Sequence, residues 1–367
     1  MPDFRSEYEQ ALLQARQRYT QRTQPRILRR LRTEYAEMLL AITQATTGGQ
    51  ITEQRARELK ATINAEMNDL ERRLNRTLER GTLSAAEDAA AGHRRGLRAA
   101  SATTGVDVTQ SFNDVPAQVL EDLMVRRDLG VATTFKSLIR RNLQDAARDI
   151  DRYLSQAIGR GITYDAAGRE LAALMAREDP GLLNTLRQLG PKGGRLREGI
   201  LGTDVSDLPR LTEARGLLFD ARRILITETN ASFYESNRAS MQRSPAVDLA
   251  QWTLSARHHN LPSSPDICTL YSEEDLHGFG PGLYHPASAP AQPHPFCMCS
   301  LAPTFLPPER WGEERDLPSP RQLNQDDVRA ALERQASSSS RSITDARVRQ
   351  DWRRLKGLET ADSVARG

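Results

Sequence analysis

The sequence predicts a mainly α fold that ends in a small α+β module and a flexible tail. Three observations predict it. Charged residues make up 27% of the 367 positions, hydrophobic residues only 38% and aromatics 5%. With Ala, Leu, Arg and Glu dominant, this composition suits long, partly exposed helices. Apolar residues recur at three- and four-residue spacing over most of the chain before Pro245. From Trp252 to Cys299 that pattern stops, and the stretch gathers all three cysteines and five of the six histidines.

The first region, 1–104, reads as a helical hairpin. Residues 3 to about 46 are helical, with Leu12, Leu13, Tyr19, Ile27, Leu28, Leu31, Tyr35, Met38, Leu39 and Ile42 near helical spacing. Pro25 should break or kink this run, and Gly48-Gly49 ends it. A second helix runs from about Thr52 to Arg80, carries Leu59, Ile63, Met67, Leu70, Leu74 and Leu78, and stops at Gly81. The repeat is short for a coiled coil and reads as the seam of the hairpin. Ser84-Ala85-Ala86-Glu87 has the capping-box pattern and opens a third helix to about Ala100.

Ser101 to Val108 is a small-residue break that opens a helical middle domain, 105–246. Its helices span about Ala117–Arg127, Val131–Ile158, Thr163–Arg177 and Leu211–Gln242, the second closed by Gly159-Arg160-Gly161. Gly190-Pro191-Lys192-Gly193-Gly194 lacks the G-x-x-x-x-G-K-[ST] pattern and a preceding strand, so it reads as a plain loop, not a phosphate loop. Glu228 and Asn230 stand beside an apolar run, either as buried hydrogen-bonding anchors or as part of a solvated face. Pro245 ends the helix, and Val247 to Leu254 alternates as a short strand containing Trp252.

A small module, 247–306, follows, then a Pro/Ser-rich linker and C-terminal docking peptide, 307–367. In that last region a short helix spans Asp326–Gln335, Ser337–Ser340 is a flexible linker, and Thr344–Leu358 is an Arg-rich peptide with Trp352.

Net charge is only +3, which excludes a strongly basic nucleic-acid binder by balance alone, although all but four of the 51 basic residues are arginine. No apolar run reaches the roughly 18 residues of a membrane span, and the N-terminus carries no apolar signal core. The expected compartment is therefore a cytoplasm, at least at first. In a reducing compartment three clustered cysteines point to a metal rather than to disulfides.

The module closes on His294-Pro295-Phe296-Cys297-Met298-Cys299, with Cys268 upstream. Cys268, His294, Cys297 and Cys299 supply the four donors of a closed structural zinc site. Asp266, His258, His259, His277 and His285 are substitutes or supporting residues. The intervening Gly278–Pro286 segment cannot be a regular helix, and a metal would staple it. His258-His259-Asn260 superficially suggests a zinc-hairpin nuclease. However, the thiols all follow it, there is no H-E-x-x-H, and four protein ligands leave no position for water.

Trp252, His258-His259, Pro265-Asp266-Ile267-Cys268, the Gly-rich loop and the closing His294-to-Cys299 run together resemble the C-terminal motif of the phage Mu F-like minor head proteins, the phage head morphogenesis family. The helix around Thr227-Glu228-Thr229-Asn230-Ala231 is similar to that family's preceding Thr-Glu helix. The match covers residues 215 to 303 well and 108 to 180 loosely. Many members carry C-x-x-C in the upstream turn; this chain has Asp266-Ile267-Cys268, so Asp266 or a histidine is available to complete the site.

The resemblance implies a minor structural protein of a tailed-phage head. Such a protein associates with the portal protein or the major capsid protein at the portal vertex or inner capsid, with contact to packaged DNA. It acts in head assembly, DNA packaging or ejection. It would sit in the host cytoplasm during assembly and then in the virion. The alternative is a phage-borne enzyme, either a metal-dependent nuclease or an ADP-ribosyltransferase-like module. The latter would need an Arg, a Ser-Thr-rich strand and a Glu around one pocket, and Glu228 alone does not make that set.

Overall fold

The computed structural model describes residues 4–46, 48–104, 115–119, 135–176, 179–204, 212–255, 258, 267–293 and 297–311. The fold is mainly α, with a small antiparallel sheet near the C-terminus. The chain forms two compact units. One is Arg22–Gly81 with Met124–Glu228; the other is Met1–Gln21 with Thr82–Leu123 and Thr229–Gly367. This division differs from the expected boundaries after 104, 246 and 306, because two long helices each supply residues to both units.

Helix α1 (Phe4–Arg18) is followed by a π turn, Tyr19–Thr23, and then α2 (Gln24–Ala45). The expected break at Pro25 therefore takes the form of a widened turn. Pro25 has no N–H for the Gln21 carbonyl, and a π turn absorbs the mismatch. Helix α3 (Glu53–Thr104) starts where expected, with Arg55 N–H donating to Thr52 Oγ1 at 3.2 Å. It does not stop at Gly81. Ser84 and Glu87 lie inside the helix and form no capping box. A glycine inside a helix costs about 1 kcal/mol, and burial of Leu74, Leu78, Ala85, Ala86 and Ala89 around it outweighs that.

In the Arg22–Gly81/Met124–Glu228 unit the predicted seam is the core. Ile27, Leu31, Met38, Leu39 and Ile42 of α2 meet Leu59, Ile63, Met67, Leu70, Leu74 and Leu78 of α3. Against them pack α4 (Phe135–Arg160), α5 (Tyr164–Ala176), α6 (Pro180–Gln188) and α7 (Gly190–Gly202). The Gly190–Gly194 stretch is the first turn of α7, not a loop. Gly190 takes φ +83° after α6, and Pro191 has its φ preset for a helix start. A partly buried ion pair joins α2 to α3: Glu34, 1% exposed, lies 2.8 Å from Arg73 Nε.

The other unit is built on the second half of α3 and of α8 (Thr212–Arg243). Strand β1 (Val247–Thr253) is central in the order β2-β1-β3, between β2 (Leu283–Tyr284) and β3 (Ser300–Phe305). Trp252 pairs with Leu301 and Ala250 with Tyr284. Pro303 hides β3 in the sequence; β3 lies at the sheet edge, where a missing N–H costs no ladder bond. Helix α9 (Ile267–Glu273) covers Trp252, whose ring meets Tyr271 edge-on at 5.0 Å. Helix α1 belongs to this unit: Phe4 packs edge-on against Phe305 and Trp311, and Tyr8 against Phe305.

Among the described residues no helix is long and apolar enough to cross a membrane. Of the expected helix Ala117–Arg127 only 117–119 is described, and it is helical. The expected Asp326–Gln335 helix, the Ser337–Ser340 linker and the Thr344–Leu358 peptide lie outside the described residues.

Candidate metal centre

Between the 3-10 turn at Pro286–Ser288 and Ser300 the described backbone is neither helix nor strand, yet much of it is buried. Buried carbonyls need donors, and one face of α8 supplies them. Asn230 Nδ2 donates to Cys297 O (3.2 Å), Tyr234 Oη to Pro290 O (2.5 Å), Asn237 Nδ2 to Leu301 O (2.9 Å) and Arg238 Nη1 to Ala287 O (3.1 Å). The spacing 230, 234, 237, 238 is that of a single helical face. Asn230 is thus a buried anchor, as one of its two sequence readings held. Glu228 is also buried, at 5% exposure.

On its other side α8 meets α3 through small residues. Ser232 Oγ donates to Thr82 O and Ser236 Oγ to Ala86 O, each at 2.7 Å. Farther along, Asn237 Oδ1 faces His93 Nε2 at 2.6 Å, and Tyr8 Oη lies 2.7 Å from His93 Nδ1. Because Asn237 gives its amide N–H to Leu301, its oxygen must accept, so His93 carries its proton on Nε2 and accepts from Tyr8 on Nδ1.

The fixed backbone brings the thiols together. Cys268, at the start of α9, lies 3.7 Å from Cys297, sulfur to sulfur. His258 Nδ1 lies 3.9 Å from Cys299 Sγ. The donor atoms of His258, Cys268 and Cys299 all fall within 4.8 Å of one another, and all three residues are buried. This cluster can hold a metal ion. The cysteines are free thiols, and 3.7 Å is far from a disulfide bond.

Cys297 stands outside that group of three but beside Cys268. Four donors on a tetrahedron with metal–sulfur bonds of about 2.3 Å place sulfurs about 3.8 Å apart, close to the separation of Cys268 and Cys297. His258 is oriented by its other nitrogen, Nε2, which lies 3.0 Å from Thr269 Oγ1. Donation from Nε2 leaves the Nδ1 lone pair facing the thiols, the arrangement that metal-binding histidines require. Backbone N–H groups also point at sulfur, from Cys299 to Cys297 and from Ser255 to Cys299. In the thiol form the three cannot all ionise. Hydrogen bonds from Cys268 and then Cys297 push Cys299 down, whereas Cys268 is pushed up, first by its bond with Cys297.

All three backbone carbonyls of the Cys297-Met298-Cys299 turn are held by side chains. Asn230 and Gln292 hold Cys297 O, Arg16 Nη2 holds Met298 O at 2.6 Å, and Gln292 holds Cys299 O at 3.2 Å. Tyr19 Oη lies within hydrogen-bonding distance of both Thr229 Oγ1 and Asn230 Oδ1, which sets the Asn230 amide.

Of the sequence-derived ligand set, Cys268 and Cys299 come together with His258 among the described residues, and Cys297 lies beside Cys268. His294, Asp266 and His259 lie outside the described residues. His285 caps the turn at Pro286, its Nδ1 accepting from Ala287 N–H, and His277 stacks edge-on against Tyr284. Arg16, Gln292, Thr269 and Ser255 escaped the sequence reading. Arg16 and Gln292 act on backbone carbonyls, and such contacts leave no residue-type signal. No family model, no curated protein and no solved structure matches this chain.

Proposed function

We propose that this chain is a minor structural protein of a tailed-phage head, built around a zinc-held C-terminal module and acting at the portal vertex or inner capsid. The observation that carries the reading is the Asn230–Cys297 hydrogen bond. It ties the helix that resembles the family's Thr-Glu helix to the closing C-x-C, so the separate pieces of the resemblance form one physical unit. In this reading Cys268, Cys297, Cys299 and His258 hold the ion, His258 taking the place expected of His294. Four protein donors leave no open coordination position, which favours a structural role over metal-assisted hydrolysis. Zinc suits three thiolates and one imidazole. When bound, it would cross-link α9, the segment around residue 258 and the Cys297–Cys299 turn.

The test of the assembly role is co-expression with the portal and major capsid proteins of the source phage genome, followed by isolation of procapsids. The chain is expected to sediment with the particles and to be captured with the portal protein. Absence from every particle fraction sinks the proposal. For the metal, elemental analysis of the purified protein is expected to give about one zinc per chain; a fully folded, metal-free protein refutes it.

A further inference from the structure

We infer that Arg16 of α1 is the counter-charge of the metal centre, so that docking of the N-terminal helix and occupancy of the site stabilise each other; the inference rests on the metal reading above. Three thiolates and a neutral imidazole around a divalent cation leave one net negative charge. Cys268, Cys297 and Cys299 are 0%, 2% and 3% exposed, so water does little to screen it. A buried net charge is costly unless a partner of opposite sign lies near.

Arg16 meets that need in three ways. Its guanidinium brackets Cys299, with Nη1 on Ser300 Oγ at 2.5 Å and Nη2 on Met298 O at 2.6 Å. Those two bonds fix the fork without neutralising it. Among the described residues no carboxylate pairs with Arg16, whereas Arg238, the other arginine bound to this segment, is already paired with Glu235 at 2.8 Å. Burial is the largest influence on the guanidinium and lowers it from its ordinary value; Cys299 and then Cys297 oppose that and favour the charged form. An arginine keeps its charge in such surroundings.

The linkage is reciprocal. A cation held by α1 raises the affinity of the thiolates for metal, and bound metal raises the cost of undocking α1. The cleft between Arg16, Tyr19, Gln292, Met298 and Ser300 borders Cys299, so removal of the Arg16 side chain would bring solvent to the sulfur.

The experiment uses the full chain with zinc(II), and with cobalt(II) as a spectroscopic substitute. Chelator competition measures zinc affinity for wild type, Arg16→Gln, Arg16→Lys and Ser300→Ala. Arg16→Gln is expected to weaken zinc binding about 10- to 100-fold, the range for residues that support metal ligands. Arg16→Lys should recover part of that loss. Ser300→Ala keeps every charge, loosens the guanidinium, and should lose less than Arg16→Gln; it also serves if Arg16→Gln does not fold. The cobalt–thiolate absorption should persist in each variant, showing that the ligands still coordinate. In denaturant, Arg16→Gln should lose more stability with metal than with chelator. Equal losses in both forms, unchanged zinc affinity, or a lysine variant as weak as the glutamine one overturns the inference and leaves the metal site standing. If wild type takes up neither metal, the metal reading fails, and this inference with it.

Discussion

The two units solve the problem of an interior with different materials. In the Arg22–Gly81/Met124–Glu228 unit, leucines and isoleucines of α2 and α3 form one seam and further helices add to it. Its regular helices satisfy their own backbones, so side chains are free to be apolar. In the other unit, the interior around α8 holds Thr229, Asn230, Ser232, Ser236, Asn237 and Ser240, with three thiols and His258 and His93. There the chain between Pro286 and Ser300 is irregular, its carbonyls need donors, and the helix beside it must be polar on its buried face. The first interior tolerates change in proportion to volume. The second depends on particular donor–acceptor pairs, and loss of one leaves a buried polar group unmet.

Metal removal should separate the two most sharply. With a strong chelator, or in Cys268→Ser, amide-exchange protection over 247–305 should collapse while that over 27–78 persists. The free energy at stake for a structural zinc site is on the order of 10 kcal/mol. Persistence of protection around Trp252 without metal would show that the aromatic cluster alone holds the module. The complementary change is Leu70→Ala, which empties a fully buried position in the α2–α3 seam. Denaturant unfolding should show a loss of about 3 kcal/mol, with the protection of 247–305 little changed.

This difference in materials also governs what can be read from the sequence. The seam was legible residue by residue, because Leu59, Ile63, Met67, Leu70, Leu74 and Leu78 repeat at helical spacing and do nothing but pack. So was the thiol cluster, because cysteines are few and were clustered. The polar face of α8 was not. Residues 230, 234, 237 and 238 have helical spacing, but two Asn, a Tyr and an Arg at those positions look like a solvated face. Gly81 misled for a related reason. A local stop signal and a capping pattern three residues later yielded to burial of the alanines beyond them. The orientation of His258 depends on Thr269, 11 residues away, a pairing no local pattern encodes.

A third test uses pH. His93 is fully buried between Tyr8 and Asn237, and burial pushes it down to about 4 from about 6.5, against the raising effect of the Asn237 bond. Between these values the unfolded chain binds a proton that the folded chain refuses. Stability from this group is therefore complete above pH about 6.5, falls as pH drops towards about 4, and changes no further below that. The full span is about 3 kcal/mol. Denaturant midpoints measured with chelator present, so that metal release does not contribute, should slope downward through this window. His93→Gln should flatten the slope. A slope unchanged in His93→Gln would place the titrating group elsewhere.

The smallest effect sharpens the comparison most cleanly, because one chemical change is expected to act with opposite signs. Gly194 lies in the first half of α7, where an added methyl group meets nothing within 4 Å. Gly194→Ala removes backbone freedom from the unfolded chain at no cost to the folded one, and should stabilise by about 0.5–1 kcal/mol. Gly96 lies in α3 beneath Tyr8, where a Cβ would stand 2.6 Å from the ring. That ring cannot retreat freely, since its hydroxyl is bound to His93 and its face meets Phe305. Gly96→Ala should therefore push α1 outward and destabilise by about 1–3 kcal/mol. If α1 is docked through Arg16 as proposed, that displacement should also weaken zinc retention, whereas Gly194→Ala should leave zinc affinity unchanged. Thermal unfolding of the two alanine variants, with and without chelator, reads both effects.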